Sequence, residues 1–177
     1  MKLSRAILKT PLDDMLALSS EAGLCALEFT GPRRRLPRLD ARLRRWFPPH
    51  EIVDDDPPVI RKTREWLRAY FEGTNADISG IPLDMRGAPF ELRVWKALRA
   101  IPPGETTSYG AIAKAVGSPD AARAVGAANG ANPIAIIVPC HRVIGASGSL
   151  TGYGGGLDKK TWLINHERRW RRDLFSL

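Results

Sequence analysis

The amino-acid sequence predicts an α/β (α+β) protein. A small N-terminal sheet-and-helix domain with a connecting segment is expected over 1–82, and a mainly helical C-terminal domain with a helix-turn-helix over 83–177. Three observations carry this prediction. Two short alternating apolar runs near the N-terminus are joined by a turn-rich pentapeptide. Two helical stripes of apolar residues follow before residue 75. Beyond a Gly/Pro-punctuated connector at 75–88, helical patterns recur to the C-terminus. With 44% hydrophobic residues, 177 positions suffice to bury a core, and the 16 glycines and 14 prolines are dispersed rather than gathered in low-complexity tracts.

The opening MKLSRAILKTPLDD is broken by charge and by Pro11 before a signal-peptide apolar region can form. No run approaches the roughly 18 apolar residues of a membrane span. An unexported, cytoplasmic protein is expected, and two cysteines, Cys25 and Cys140, are too few for a disulfide scaffold or a four-ligand zinc site. Leu16-Ala-Leu18 and Leu24-Cys-Ala-Leu-Glu-Phe29 flank Ser-Ser-Glu-Ala-Gly, which predicts a β-hairpin. Cys25, Leu27 and Phe29 alternate on one strand face, so Cys25 is a small core residue. In the Arg-rich stretch 33–45, Leu39, Leu43, Trp46 and Phe47 have helical spacing. This is an amphipathic helix with solvated arginines, a DNA contact being the second reading. A turn-rich segment follows from Phe47. Ile60, Thr63, Trp66, Leu67, Tyr70 and Phe71 then mark a helix ending near Gly73. No catalytic pattern occurs in this half.

Phe90, Val94, Leu98 and Ile101 form the buried stripe of a third helix, stopped by Pro102-Pro103-Gly104. A short helix is expected from Ser108 to Val116. After Gly117, Ser118 is expected as N-cap, Pro119 as first helical residue and Asp120 as the macrodipole complement of a helix reaching Gly130. Such a pair has helix-turn-helix spacing, although plain core hairpins share it. The second helix carries Ala121, Ala122, Ala124, Gly126, Ala127 and Ala128, leaving Arg123 as its one long side chain. Close approach to another surface and close helix packing both fit. Charge leans the same way: 15 basic against 13 acidic residues in 1–87, but 12 against 6 in 88–177. A polyanion partner and mere solubilising charge are equally served by that excess.

The apolar run Ile134-Ala-Ile-Ile-Val138 predicts a buried strand or extended segment that delivers Pro139-Cys140-His141-Arg142-Val143. A cysteine beside a His and nearby cations can be a stabilised thiolate, but adjacency alone favours a buried structural cysteine.

PCHRVIG, preceded by ARAVGAANGANP and followed by GSLTGYGGGLDKKTWLINHE, resembles the active-site region of the O6-alkylguanine-DNA alkyltransferases. The resemblance extends back through PFELRVWKALRAIPPGETTSYGAIAKAVG and covers roughly residues 89–167. The length is that of the short bacterial form, without the additional metal-binding domain of the adaptive-response regulators. The resemblance implies stoichiometric, irreversible transfer of an alkyl group from O6-alkylguanine in DNA to Cys140, with O4-alkylthymine as a further substrate left open. His141 is implied as base through a water, and Glu167, at the end of a helix over 158–168, as its orienting carboxylate. Arg123 is implied as the finger that replaces the flipped nucleotide, its helix lying in the minor groove. Tyr109 crowds the 3′ phosphate and donates to guanine N3, and Asn132 braces the active-site turn. The Cys140 and Val143 carbonyls accept from the exocyclic amine, and the Tyr153-Gly154 loop walls the pocket. Gly154 stands where some members carry Ser, and Lys160 follows the family position. The implied partner is double-stranded DNA containing alkylated guanine. No cofactor, metal or membrane is expected, and the protein is expected to be a monomer, with cooperativity on DNA left open.

Three alternatives accompany this expectation. An alkyltransferase-like lesion binder would lack the nucleophile that Cys140 supplies. A helix-turn-helix regulator would leave the GYGGG loop and Glu167 unexplained, and a Cys–His hydrolase would need an oxyanion site.

Overall fold

The computed structural model describes residues 1–31 and 35–175. Contacts divide the chain into two units: Met1–Gly87 with Pro133–Ala135, and Ala88–Asn132 with the chain from Ile136 onward.

In the first unit, strands β1 (Lys2–Leu8), β2 (Met15–Ser19), β3 (Leu24–Phe29) and β4 (Glu51–Asp54) form one sheet in the order β3-β2-β1-β4. The hairpin expected from Leu16 and Leu24 is present, β2 pairing antiparallel with β3 with a register shift between Leu18 and Ser19. Helix α1 (Arg35–Trp46) lays Leu39 and Leu43, with Phe47 just beyond it, on Leu3, Leu18, Cys25 and Ala26. Of the Arg-rich stretch, Arg33 and Arg34 lie outside the described residues. Helix α2 (Pro58–Glu72) buries Ile60, Thr63, Trp66, Leu67 and Tyr70 and ends at left-handed Gly73, as its periodicity predicts.

Two strands were hidden in the sequence. β1 buries Leu3, Ser4 and Leu8 but exposes Lys2, Arg5 and half of Ile7, so its alternation is broken by charge. β4 falls inside the segment read as turn-rich. Its residues are mostly exposed, and it exists because it pairs in parallel with β1 across about fifty residues. The Arg5–Asp54 and Lys2–Asp55 ion pairs stud this acidic edge strand.

The second unit packs α3 (Pro89–Arg99), α4 (Tyr109–Ala115) and α5 (Ala122–Gly130) against one another, Trp95 Nε1 of α3 donating to the Ala128 carbonyl at 2.8 Å. Ser108 caps α4 by accepting from Ala111 N. The start of α5 differs from the expectation. Ser118 does not cap it: the Ser118 carbonyl accepts from Ala121 N in a turn, and the helix begins at Ala122 without a side-chain cap. Left-handed Gly117 sends Ser118, Pro119 and Asp120 into this turn, so the capping signature is spent in the connection between the helices. The pair α4–α5 is the helix-turn-helix.

The run 134–138 is buried but is not a strand. Ile134 makes one isolated bridge to Leu27, residues 135–137 turn, and Ile136 adopts φ +68°, a conformation that β-branched side chains rarely take. Apolar composition forecast burial correctly, whereas the turn geometry was set by hydrogen bonds to residues far along the chain. A two-residue parallel pair, β5 (Thr107–Ser108) with β6 (Val143–Ile144), then sets the start of α4 beside the chain leaving Cys140. Helix α6 runs from Leu157 to Phe175, so Glu167 lies in its middle rather than at its end.

Candidate active site

Cys140, His141 and Arg142 form a single 3-10 turn, and all three are buried. Two asparagines hold the chain on either side of Pro139. Asn132 Nδ2 donates to the Val138 carbonyl at 2.8 Å, and Asn129 Nδ2, from α5, donates to the Cys140 carbonyl at 3.3 Å. These bonds stabilise the strained turn at Ile136 and fix the direction in which Cys140 leaves it.

Glu167, 1% exposed, is the charge centre beneath this turn. Its Oε1 accepts from His141 Nε2 at 2.8 Å and from Arg142 Nη2 at 2.8 Å. Its Oε2 accepts from Arg142 Nε at 2.9 Å and from Gly104 N at 3.1 Å. Gly104 is required here, because its φ is +79° and a Cβ would lie 3.1 Å from the Glu167 carbonyl and from Arg171. Burial alone raises the Glu167 pKa, but His141 and Arg142 outweigh it and hold the carboxyl well below its ordinary range. Burial in turn lowers the His141 pKa against the pull of Glu167. A neutral His141 facing an ionised carboxylate must carry its proton on Nε2. Nδ1 is then left as an acceptor, and it has no hydrogen-bond partner in the protein.

Lys160, at the position that follows the family pattern, is fully buried on α6. Its ammonium donates to the carbonyls of Val143 at 2.6 Å, Thr151 at 2.8 Å and Gly152 at 3.4 Å. Burial lowers its pKa while a Cys140 thiolate raises it, and by reciprocity the ammonium favours the thiolate. The same Thr151 carbonyl accepts from the Tyr109 hydroxyl at 3.2 Å, and the Tyr109 ring approaches Gly126 of α5. Tyr153 and Gly154 lie half-buried in the loop that Lys160 anchors. Lys160→Met is expected to strand these carbonyls and lower the thermal midpoint by about 2–8 °C, from about 1–2 kcal/mol. Calorimetry checks this, and an unchanged midpoint removes the anchoring role.

The structure thus gathers Cys140, His141, Glu167, Asn132, Val143 and Lys160 in one buried cluster, with Tyr109 tied to its loop. Arg123 stands apart, exposed on the first turn of α5. Arg142, Asn129 and Gly104 were missed as site residues. Arg142 offered one signal, since a cation immediately after a buried apolar run requires a buried counter-charge. Cys25 is a core thiol whose pKa burial pushes up to about 11, as its strand position predicts. Among the described residues, no group of three or more His, Cys, Asp or Glu could hold a metal ion.

Comparison with known proteins agrees with this geometry. Residues 3–85 match the ribonuclease-like domain, and residues 89–169 the DNA binding domain, of the 6-O-methylguanine DNA methyltransferases. The chain is 60% identical over 115 residues to the methylated-DNA--protein-cysteine methyltransferase of Mycolicibacterium paratuberculosis, covering 65% of this chain and 69% of that protein. It is 58% identical over 113 residues to the Mycobacterium bovis protein of the same name, covering 64% and 68%. The crystal structure of Mycobacterium tuberculosis O6-methylguanine methyltransferase superposes with a TM-score of 0.79 at 41% identity, covering 94% of this chain and 93% of that one. The Mycobacterium tuberculosis structure in complex with DNA gives 0.79 at 41% identity, covering 96% and 94%. With both halves matched in order and the buried Cys-His-Arg turn joined to Glu167, the chain belongs to the 6-O-methylguanine DNA methyltransferase family.

Proposed function

We propose that this protein is a direct-reversal DNA repair protein. It transfers an alkyl group from O6-alkylguanine in duplex DNA to its own Cys140, once and irreversibly. The observation that carries this reading is the line from Cys140 through His141 to Glu167 in a member of this family. The 2.8 Å bond from His141 Nε2 to Glu167 leaves Nδ1, which has no hydrogen-bond partner in the protein, as the proton acceptor. In the reaction, His141 takes the thiol proton through a water. The thiolate attacks the alkyl carbon, the S–C bond forms, the C–O6 bond breaks, and its electron pair passes to guanine O6. The Lys160 ammonium favours the thiolate, and Tyr109, released from Thr151, donates to guanine N3 so that the base leaves neutral. The Cys140 and Val143 carbonyls accept from the exocyclic amine, Tyr153 and Gly154 wall the pocket, and Asn132 holds the turn. In this reading 83–177 carry DNA binding and transfer, and the protein acts in the cytoplasm. No described helix is long and apolar enough to cross a membrane.

The target base is stacked inside duplex DNA and has to be extruded. Arg123 is exposed on a helix of otherwise small residues, which supports its role as the intercalating finger. Arg123→Ala is therefore expected to slow duplex repair on the order of 10–100-fold, with reaction of free O6-benzylguanine nearly unchanged. Equal losses on both substrates would make Arg123 a structural residue. The function itself is tested by intact mass after incubation with DNA containing O6-methylguanine. A gain of one methyl group per protein is expected, whereas a lesion binder, a regulator or a hydrolase leaves the mass unchanged.

A further inference from the structure

The C-terminal end of α1 and the loop after it enclose an open groove of about 830 Å3 within the first unit. Its floor is the Phe47 ring with the Arg86 guanidinium 4.3 Å above it. Arg86 is fixed there by both Asp84 oxygens at 3.0 Å, and Arg42 Nη2 donates to its carbonyl. Pro48 and Pro49 stiffen one wall and His50 closes it. At the rim, Arg44 pairs with Asp40 at 3.0 Å in an exposed contact of the kind that exchanges readily for another anion. Arg45 differs from the other two lining arginines. Its guanidinium stacks 5.0 Å from the Trp46 ring and, among the described residues, no carboxylate pairs with it, so its donors are pre-oriented for an anion.

We infer that this groove takes a phosphodiester of nucleic acid, with Arg45 as anchor and Arg44 as exchangeable second donor. The inference rests on the reading of the chain as a duplex-binding protein. Once the second unit holds DNA, backbone phosphates are the anions at highest local concentration, and a weak contact is strengthened by tethering. With Arg44 and Arg86 largely neutralised by their own carboxylates, Arg45 supplies about one unbalanced charge. One phosphate contact is therefore expected, not a second full interface.

The test measures the affinity of full-length protein for an undamaged duplex across a salt series. Arg45→Ala is expected to make the slope of log Kd against log salt shallower by about one and to weaken binding about 3–10-fold at low salt. Arg45→Lys should keep most of the slope, and Arg44→Ala should show a smaller loss. Reaction with free O6-benzylguanine and the thermal midpoint should not change in any of them. A wild-type slope and affinity in both alanine variants overturns the proposal. Wild-type NMR shifts at His50 and Trp46 should respond to the duplex. A response to inorganic phosphate alone, with unaltered DNA binding, reduces the groove to a small-anion site and also overturns it. If wild-type protein fails to accept an alkyl group while Arg45→Ala still flattens the slope, the proposed function fails and this contact stands.

Discussion

Cys140→Ser is expected to abolish alkyl transfer while leaving lesion binding intact. A hydroxyl has almost no ionised fraction near neutral pH, and neither His141 nor Lys160 can supply the nucleophilicity of sulfur at carbon. The substitution is nearly isosteric. The turn is held by backbone acceptors, with Asn132 on Val138 and Asn129 on the Cys140 carbonyl, so it should persist. Wild-type protein should take up one alkyl group and stop. Peptide mapping should place that group on Cys140, because Cys25, with a pKa near 11, is ionised on the order of one part in ten thousand at pH 7. An alkylated Cys25, or turnover by substoichiometric protein, would sink the assignment.

Replacing Glu167 should have the second largest effect, on folding as well as on chemistry. Glu167→Gln keeps the shape but removes the counter-charge of buried Arg142 and a principal acceptor of His141. Breaking one side of a buried, hydrogen-bonded ion pair costs about 3–5 kcal/mol. At about 2–4 °C per kcal/mol, the thermal midpoint should fall by about 6–20 °C. Arg142→Met combined with Glu167→Gln should recover part of that loss, because no uncompensated charge remains; an additive double variant would contradict the pairing. Transfer to free O6-benzylguanine should fall near neutral pH and recover partly at alkaline pH, where the thiol ionises unaided. An identical pH–rate profile in a folded variant removes Glu167 from activation.

The same groups set the acid limit of stability. The folded Glu167 pKa is depressed, so its contribution is complete above the unfolded value near 4.3 and drains away as pH falls toward the folded value. His141 is held neutral by burial, so its contribution is present above about 6.5 and begins to fade below that, where the unfolded chain gains a proton that the folded one refuses. Denaturant midpoints should therefore decline first below about pH 6.5 and more steeply below about pH 4.3. In Glu167→Gln the second decline should be smaller.

Local patterns were legible wherever one short segment determined its own burial. The hairpin and the stripes of α1, α2 and α3 all follow from spacing, because helix and hairpin periodicities are properties of neighbouring residues. The Cys140 motif was legible as chemistry only through its resemblance to a family over residues 89–167, since adjacency alone favours a buried structural cysteine. What crossed the chain was not. β4 is a strand only through β1, and Ile136 turns left-handed in a loop whose ends are pinned by long-range bonds. Lys160 reads as one more charge on a polar helix until three distant carbonyls enclose it. The ionisation of Glu167 depends on Arg142, His141 and Gly104 arriving together, 25, 26 and 63 residues away. The sequence by itself determined the helices, the hairpin, the order of the Cys-His-Arg motif and the cationic bias of the second half. Only the tertiary structure decided which charges are buried and which neighbours they keep, because desolvation and pairing are sums over contacts that sequence spacing does not contain.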